Sequence, residues 1–596
     1  MSISTSKKDW LAAAFIFVAA LMVFRFSPVH QLTDSNYSML LSESLLKHQT
    51  FALDNYHIPR LPPRYHDNTY KNGEIYQLEL VGPHFYYYFP PGSSVLSIPF
   101  VAVMNAFGIS AANTDGTYNP DGEEKIETIL AAILMAGLAS IFFFSARLAL
   151  PLSWSVIIAL GGAFGTQVWS TASRALWSDT WAILLLGVVI WMLLAQETNR
   201  RQLNPLILAT LLAWAYFVRP TNVISIIAIT IYLFVSHRRS FLWYAVTGSL
   251  WFAGFVAYSW YNFHQLLPKY FLPGRLSFGS FWTAFAGNLV SPSRGLFVFV
   301  PVLLFSFYLL LRHREHLPFK GLTLVALAVV AAHLIVIAGF VPWNGGFCYG
   351  PRYTTSLGPW LVLLAIIAVK GMLSSREFAS VKRATVWRTQ LAAGAVLLIA
   401  GIILNARGAI SQETWAWNSW PTSVDKAAGK IWDWRQPQFL AGLVHPSLPR
   451  DFALLEGRIN FASTDADKYL WYGWSWHEAA IRWSDGDEAA VIFALDKTSD
   501  AVLQIRMGPF LAPGILDRQT VDVSLNGQGI QQIVLKDDEA RTFSLSVSKD
   551  VLKNKNILTF KFANAARPKY LGTSGDLRKL AIRVEWIEFK SQSAQT

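Results

Sequence analysis

Through about residue 405 the chain consists of long apolar runs separated by short polar stretches. Beyond that point it changes to short segments in which apolar and polar residues alternate. The runs lie near 9–26, 126–147, 153–171, 179–195, 204–218, 221–236, 241–261, 296–311, 320–340, 358–372 and 389–405. An α-helix of about 20 apolar residues crosses the roughly 30 Å hydrocarbon core of a bilayer, so the pattern predicts about eleven transmembrane helices. The later segments, among them 489–495, 501–507, 520–525, 557–562 and 581–589, have the period of two of half-buried strands, with the turn pair Asn526-Gly527 among them. The expected fold is a polytopic α-helical membrane domain over 1–405, a Trp- and Pro-rich linker over 406–450, and an all-β sandwich over 451–596.

One further apolar run, 93–108, is long enough to be mistaken for a span, and counting it would invert everything downstream. Positive charge decides the matter, because Lys and Arg collect in inner loops. With 93–108 lying along the outer surface, the inner loops hold Lys7/Lys8, Arg147, Arg200/Arg201, Arg238/Arg239, Arg312/Arg314/Lys320 and Lys370/Arg376/Lys382/Arg383/Arg388. The N-terminus is then inside and the C-terminal region outside. The first run has no small-residue cleavage site after it and reads as a retained span. The first outer loop, about 28–125, is too long for a simple connector. Within it, 34–47 predicts an amphipathic surface helix, Tyr70-Lys71-Asn72-Gly73-Glu74-Ile75-Tyr76 a hairpin, and Phe89-Pro90-Pro91-Gly92 the start of a second surface helix.

Composition supports the membrane reading. The chain has 596 residues, 53% hydrophobic and 15% charged, against about 25% charged in soluble proteins. The net charge of +12 resides in short loops between apolar runs, which argues against nucleic acid as a partner. A single cysteine, Cys348, rules out an intramolecular disulfide. There is no Gly-rich phosphate loop, no dinucleotide fingerprint and no HExxH or close His/Cys cluster, so no nucleotide or zinc site is indicated.

Polar residues gather instead at the outer ends of the spans. Asp34 follows the first span, and Arg174 and Asp179 join the third and fourth. Arg219 joins the fifth and sixth, Arg294 lies in Ser291-Pro292-Ser293-Arg294-Gly295, and Arg352 lies in Gly350-Pro351-Arg352-Tyr353. Two acids and several arginines facing one side suit a phosphate-bearing lipid donor: arginine grips phosphate bidentately, and a carboxylate takes a proton from an acceptor hydroxyl. Each residue has a plainer role open to it. Asp34 could cap its helix, Asp179 could cap the fourth span or pair with Arg174, and Arg352 could be an interfacial anchor. Glu43, His66 and Asp67 read as solvated loop residues. The tryptophans of WYGWSWHE read as sandwich core or as a sugar platform, with Trp474 and Trp476 the glycan-binding candidates.

With these residues in view, the chain resembles the GT-C membrane glycosyltransferases, which include protein mannosyltransferases and aminoarabinose transferases. The resemblance covers most of 1–405 and rests on TDSNYSMLLSESLL after the first span, NGEIY followed by YYYFPPGSSVLSIPF, and GPRYTTSLGPW before a late span. It implies a sugar taken from a polyprenyl-phosphate carrier at the outer (periplasmic) face of a bacterial inner membrane, with Asp34 as general base or acceptor anchor. Asp179 occupies the place of a second acid, although Asp34 is followed by Ser35 where many members have paired acids. The tail is similar to carbohydrate-binding β-sandwich appendages of some members. The implied reaction is inverting transfer, with Arg352 and Arg294 on the leaving phosphate and Arg174 and Arg219 as further phosphate-binding candidates. The implied acceptor is an envelope glycan, lipid or protein. A divalent metal is compatible with such chemistry but has no support in the sequence. The rival reading is a non-catalytic protein, either a lipid-linked glycan transporter or a polysaccharide-binding scaffold. A transporter should place its polar residues near mid-membrane, not at the outer ends.

Overall fold

The computed structural model describes residues 6–58, 75–375, 381–419, 423–425, 427–446 and 448–591. The chain divides into two compact units: Met1–Ser411 with Ala428–Asp433, and Gln412–Ala427 with Trp434–Thr596.

The first unit is helical. Its helices are α1 (Lys7–Phe26), α2 (Ser38–His48), α3 (Gly92–Ala106), α4 (Pro120–Arg147), α5 (Leu152–Phe164), α6 (Ser178–Glu197), α7 (Pro205–Val218), α8 (Val223–Ser236), α9 (Arg238–Phe263), α10 (Phe281–Val290), α11 (Leu296–Phe299), α12 (Val302–Arg312), α13 (Lys320–Ala338), α14 (Gly358–Ser374) and α15 (Val381–Ile410). Among the described residues, seven helices are long and apolar enough to cross a membrane: Lys7–Phe26, Pro120–Arg147, Ser178–Glu197, Arg238–Phe263, Lys320–Ala338, Arg352–Ser374 and Arg388–Ile410. At the other four positions where the sequence predicts spans, the helices are shorter: Leu152–Phe164, Pro205–Val218, Pro220–Ser236 and Val302–Arg312.

Two of those runs break for local reasons. Pro301 lacks a backbone N–H, and the 296–311 run divides there into α11 and α12. The 153–171 run ends its α-helix at Phe164 before Gly165, and Val168–Ala172 continues as a single π-helical turn. α4, α6 and α14 are mostly buried, with α4 packed against α1, α5 and α6, whereas α1, α9 and α15 are largely exposed along their apolar length.

The first loop is more deeply buried than its sequence suggests. α2 starts at Ser38, not at residue 34, and its residues from Ser38 through Ser44 are all buried. α3 packs on α2 and α7. A Cβ on Gly92 would lie 2.6 Å from the backbone carbon of Phe217, so only glycine permits this approach. The expected hairpin at Tyr70–Tyr76 falls largely outside the described residues. A short hairpin follows it, β1 (Leu78–Val81) with β2 (His84–Tyr87), turning through Gly82 at φ 59°.

The second unit is built of antiparallel strands: β3 (Ile459–Asn460), β4 (Leu470–Tyr472), β5 (Trp474–His477), β6 (Arg482–Ser484), β7 (Glu488–Ala494), β8 (Ala501–Pro509), β9 (Gln519–Leu525), β10 (Gln528–Leu535), β11 (Arg541–Val547), β12 (Lys555–Phe562) and β13 (Ile582–Ser591). One sheet has the order β10-β9-β12-β7-β4. The other runs β11-β8-β13-β6-β5, with β3 added against β13. Asn526 and Gly527, at φ 54° and 83°, make the left-handed β9–β10 turn that the Asn-Gly pair predicts. Alternate residues of both sheets, including Val491, Phe493, Leu503, Ile505, Val521, Val523, Leu558 and Phe560, fill one shared core. Trp474 belongs to that core at 1% exposure, and its indole donates to the Ala490 carbonyl at 2.9 Å. It therefore has no free face for a sugar. Trp476 is 59% exposed, with the Arg578 guanidinium 4.5 Å from its ring centre.

Residues 434–596 expressed alone should give a β-type circular dichroism spectrum and one cooperative thermal transition, because their core is self-contained. In that piece Trp474→Ala should cost about 3–5 kcal/mol, as large core deletions do, whereas Trp476→Ala should change stability by less than about 0.5 kcal/mol. Equal effects of the two substitutions in denaturant titrations would contradict the assigned core.

Candidate functional site

The chain leaves α1 and runs in extended form to α2, docked along the segment 170–177. The Gln31 amide N–H donates to the Arg174 carbonyl at 3.1 Å. The Gln31 side chain donates to the Ser170 carbonyl at 2.7 Å, and the Trp177 indole donates to the Gln31 carbonyl at 2.8 Å. This docking sets Asp34 beside Trp177. Arg352 arrives from 318 positions later in sequence, and its Nη2 donates to Asp34 Oδ2 at 2.5 Å. Its guanidinium lies 3.5 Å from the centre of the Trp177 ring, a stacked cation–π contact. The Asp34 side chain is 26% exposed and that of Arg352 10%.

Tyrosines complete the setting. Tyr76 Oη donates to Asp34 Oδ1 at 3.0 Å, and Tyr87 Oη donates to the Asp34 backbone carbonyl at 2.6 Å. Asp34, Tyr87, Phe89, Pro90, Ser93, Trp177, Tyr270 and Arg352 are among the residues lining a cleft of about 20 Å³, room for little more than a water molecule. Within it, Arg352 Nε and Ser93 Oγ are buried with no hydrogen-bond partner among the described residues. Burial pushes the Asp34 carboxyl up, but the Arg352 charge and hydrogen bond, the Tyr76 hydroxyl and the more distant Arg275 charge together hold it below the ordinary carboxylate value. Since the folded-state value is the depressed one, Asp34 stabilises the fold above its unfolded value, and that contribution is lost as the pH falls through the folded value. Burial, with the neighbouring Asp34 charge, raises the Tyr76 hydroxyl well above its usual range, so it remains a donor.

Asp34 caps no helix: the N-cap of α2 is Tyr37, at φ 71°, with no side-chain cap. The cap comes from α4. Glu123, fully buried, accepts from the Tyr37 amide at 2.8 Å and the Met39 amide at 2.6 Å, satisfying donors that a helix start leaves open. One turn along α4, buried Glu127 accepts from the Leu176 amide at 3.0 Å. Two carboxylates on one face of α4 thus fix both the segment after Asp34 and the segment before Trp177. Sequence reasoning missed them. The available signal was the acid spacing Glu123–Glu127 at the entry to an apolar run. Glu43 is not a solvated loop residue but fully buried, accepting from the Ala111 amide at 2.6 Å, the Ser110 hydroxyl at 2.8 Å and Lys47 Nζ at 2.7 Å. His66 and Asp67 fall outside the described residues.

The other candidates stand apart from the cleft. Arg174, 1% exposed, donates to the carbonyls of Ser27, at 2.7 Å, and Phe24, and so closes the end of α1. Arg294 donates to the carbonyls of Asn344, at 2.8 Å, Ser293, at 2.7 Å, and Gly346, at 3.1 Å, bracing the loop that leads to Arg352. That loop turns at Gly350, φ 63°, where a Cβ would lie 2.9 Å from the Phe299 ring. Asp179 pairs with Arg219 at 2.8 Å, not with Arg174, and accepts from Ser356 Oγ at 2.9 Å. Asp179 is fully buried and Arg219 5% exposed; the pair ties α6 to the end of α7, and the Ser356 hydrogen bond ties Asp179 to the turn carrying Arg352. Among the described residues, no group of three His, Cys, Asp or Glu side chains could hold a metal ion.

No known protein-family profile matches the chain, and no curated protein matches it in sequence. Among solved structures, it is similar to the arabinosyltransferase EmbB from Mycobacterium smegmatis, at a TM-score of 0.35 and 11% identity, over 99% of this chain and 65% of that one. It is also similar to the family GH115 4-O-methyl-α-glucuronidase BtGH115A, at a TM-score of 0.15 and 14% identity, over 35% of this chain and 29% of that one. The chain thus spans 65% or less of the length of either protein. At these scores neither likeness decides the fold or the site.

Breaking one side of the buried Asp179–Arg219 pair should be costly. Arg219→Ala leaves a carboxylate buried and uncompensated, a loss of about 3–5 kcal/mol. The double substitution Arg219→Met with Asp179→Leu should recover most of it. Unfolding of the purified protein in detergent measures both, and a double variant as weak as Arg219→Ala would contradict this view of the pair.

Proposed function

We propose that the chain is a GT-C-type membrane glycosyltransferase that moves a sugar from a polyprenyl-phosphate carrier to a hydroxyl of an envelope glycan, lipid or protein. The observation that carries this reading is the Asp34–Arg352 pair at a cleft beyond the end of α1, with one guanidinium nitrogen buried and unpartnered. An unsatisfied buried donor costs about 1–3 kcal/mol, and a phosphate oxygen would relieve it. A carboxylate joined to an arginine is a weak base. A donor phosphate that draws Arg352 away leaves Asp34 in a partly buried position with its compensating charge removed, and its affinity for a proton rises.

The chemistry then closes. Asp34 takes the proton of the acceptor hydroxyl, and the oxygen attacks the anomeric carbon from the face opposite the phosphate. The carbon–oxygen bond to phosphate breaks, and its electron pair leaves with the phosphate, whose charge Arg352 neutralises. The product has inverted configuration. Arg294, Arg174, Arg219 and Asp179 act by holding the segments that bring the pair together. The orientation set by the positive loops puts the cleft at the outer face of a bacterial inner membrane, with about eleven spans and the β-unit outside. Of Trp474 and Trp476, the exposed Trp476 is the one we propose for glycan binding.

Asp34→Asn keeps the shape and the Tyr76 hydrogen bond but removes the proton acceptor. At equal expression and thermal stability it should lower sugar transfer to the envelope acceptor by about 10²–10⁴-fold in a strain lacking the native chain. Near-native transfer would overturn the mechanism and favour a scaffold. The pH profile gives a second check. Arg352→Met leaves burial acting on Asp34 without the compensating charge, so the acid limb of residual kcat/KM should move to higher pH. An unmoved limb would show that Asp34 is not the titrating base.

A further inference from the structure

The arginines of the first unit's outer loops divide sharply by what they already hold. Arg174 and Arg294 are committed to backbone carbonyls, Arg219 to Asp179 and Arg352 to Asp34. Arg275 differs from all four. It is exposed, and among the described residues it has no carboxylate partner and no side-chain hydrogen bond. Its guanidinium carbon lies 5.5 Å from the centre of the Tyr270 ring. Tyr270 itself lines the cleft beside Asp34 and Arg352, with its ring 5.3 Å from that of Phe89.

The backbone beneath Arg275 is fixed. Its carbonyl accepts from the Val341 amide at 3.1 Å, and the Ser277 amide donates to the Gly339 carbonyl at 2.6 Å, with Leu276 and Phe340 forming a bridge between. Phe340 in turn packs edge-on against Tyr353, next to Arg352, at 5.1 Å. The segment that carries Arg275 is therefore joined to the segment that leads to Arg352. Asp34, Tyr88 and Tyr353 all feel the Arg275 charge. Asp34 and Arg352 neutralise each other, and Arg275 adds a positive charge beside Tyr270, which lines the cleft. An anion arriving there meets a guanidinium that need not give up another partner first.

We propose that Arg275 is the first grip on the phosphate of the lipid-linked donor, holding it at the rim so that it can compete with Asp34 for Arg352. This rests on the donor reading given above. A phosphate on the same guanidinium could also belong to a bilayer phospholipid, and the test separates the two sources. Full-length protein purified in neutral detergent is titrated calorimetrically with farnesyl phosphate, with farnesol and with phosphatidylglycerol. Native protein should bind farnesyl phosphate more tightly than farnesol. Arg275→Ala should weaken farnesyl phosphate binding about tenfold to a hundredfold and leave farnesol and phosphatidylglycerol unchanged. Arg275→Lys should recover part of the loss, because the charge remains and the fork does not. Native-like binding of farnesyl phosphate by Arg275→Ala overturns the assignment while leaving the donor reading intact. A parallel loss of phosphatidylglycerol binding makes Arg275 a headgroup anchor and also overturns it. Native protein that does not distinguish farnesyl phosphate from farnesol overturns the donor reading itself, and this assignment with it.

Discussion

The contact on which the site depends is one ion pair between the first loop and a turn late in the helical unit. Asp34 and Arg352 meet at 2.5 Å on the face of Trp177. Ion pairs in water are weak, but this one is largely shielded and seated on an aromatic ring, so its geometry matters more than its charge alone. Keeping it requires three separate segments to arrive together. The 28–37 segment is docked on 170–177, the start of α2 is capped by Glu123, and the turn holding Arg352 is tied to α6 through Ser356 and Asp179. Buried Gln31, Glu123 and Glu127 answer to that requirement through hydrogen bonds to backbone, whereas Ser93 Oγ and Arg352 Nε at the cleft have no hydrogen-bond partner among the described residues.

The same pair shapes what the cleft can do. With Arg352 on Asp34 there is room for little more than a water molecule, so in the proposed reaction the substrate parts the pair to enter. Burial pushes the carboxyl up throughout, and the arginine decides whether that push prevails. While the arginine is in place it holds the carboxyl below its ordinary range, and once the arginine is engaged elsewhere the partly buried carboxylate becomes a better proton acceptor. In the proposed mechanism, donor binding and base activation are thereby coupled through one guanidinium.

Much of the architecture was legible in the sequence because its signals are local. Apolar runs and strand alternation mark helices and strands wherever they occur, and Asn526-Gly527 encodes its own turn. Runs interrupted by Pro301 or Gly165 were harder to delimit, since total apolarity hides a broken helix. The site was legible only in part. Asp34 and Arg352 could be picked out singly, but nothing in either neighbourhood reveals that they touch. Arg174, Arg219 and Arg294 look alike in sequence and differ only in which carbonyl or carboxylate lies opposite them, a tertiary fact. Glu43, Glu123 and Glu127 sit in polar stretches that suggest solvent, yet all three are fully buried. Arg275 did not stand out in the sequence, and what distinguishes it is that its guanidinium has no carboxylate or hydrogen-bond partner among the described residues, only the Tyr270 ring beside it.

The proposed reaction consumes a polyprenyl-phosphate-linked sugar at this cleft. The most direct measurement is quantitative mass spectrometry of lipid-linked sugars and envelope glycans in membranes from a strain lacking this chain, compared with its parent. One polyprenyl-phosphate sugar should accumulate while one envelope glycan, lipid or protein loses the mass of that sugar. Unchanged pools of both would contradict it.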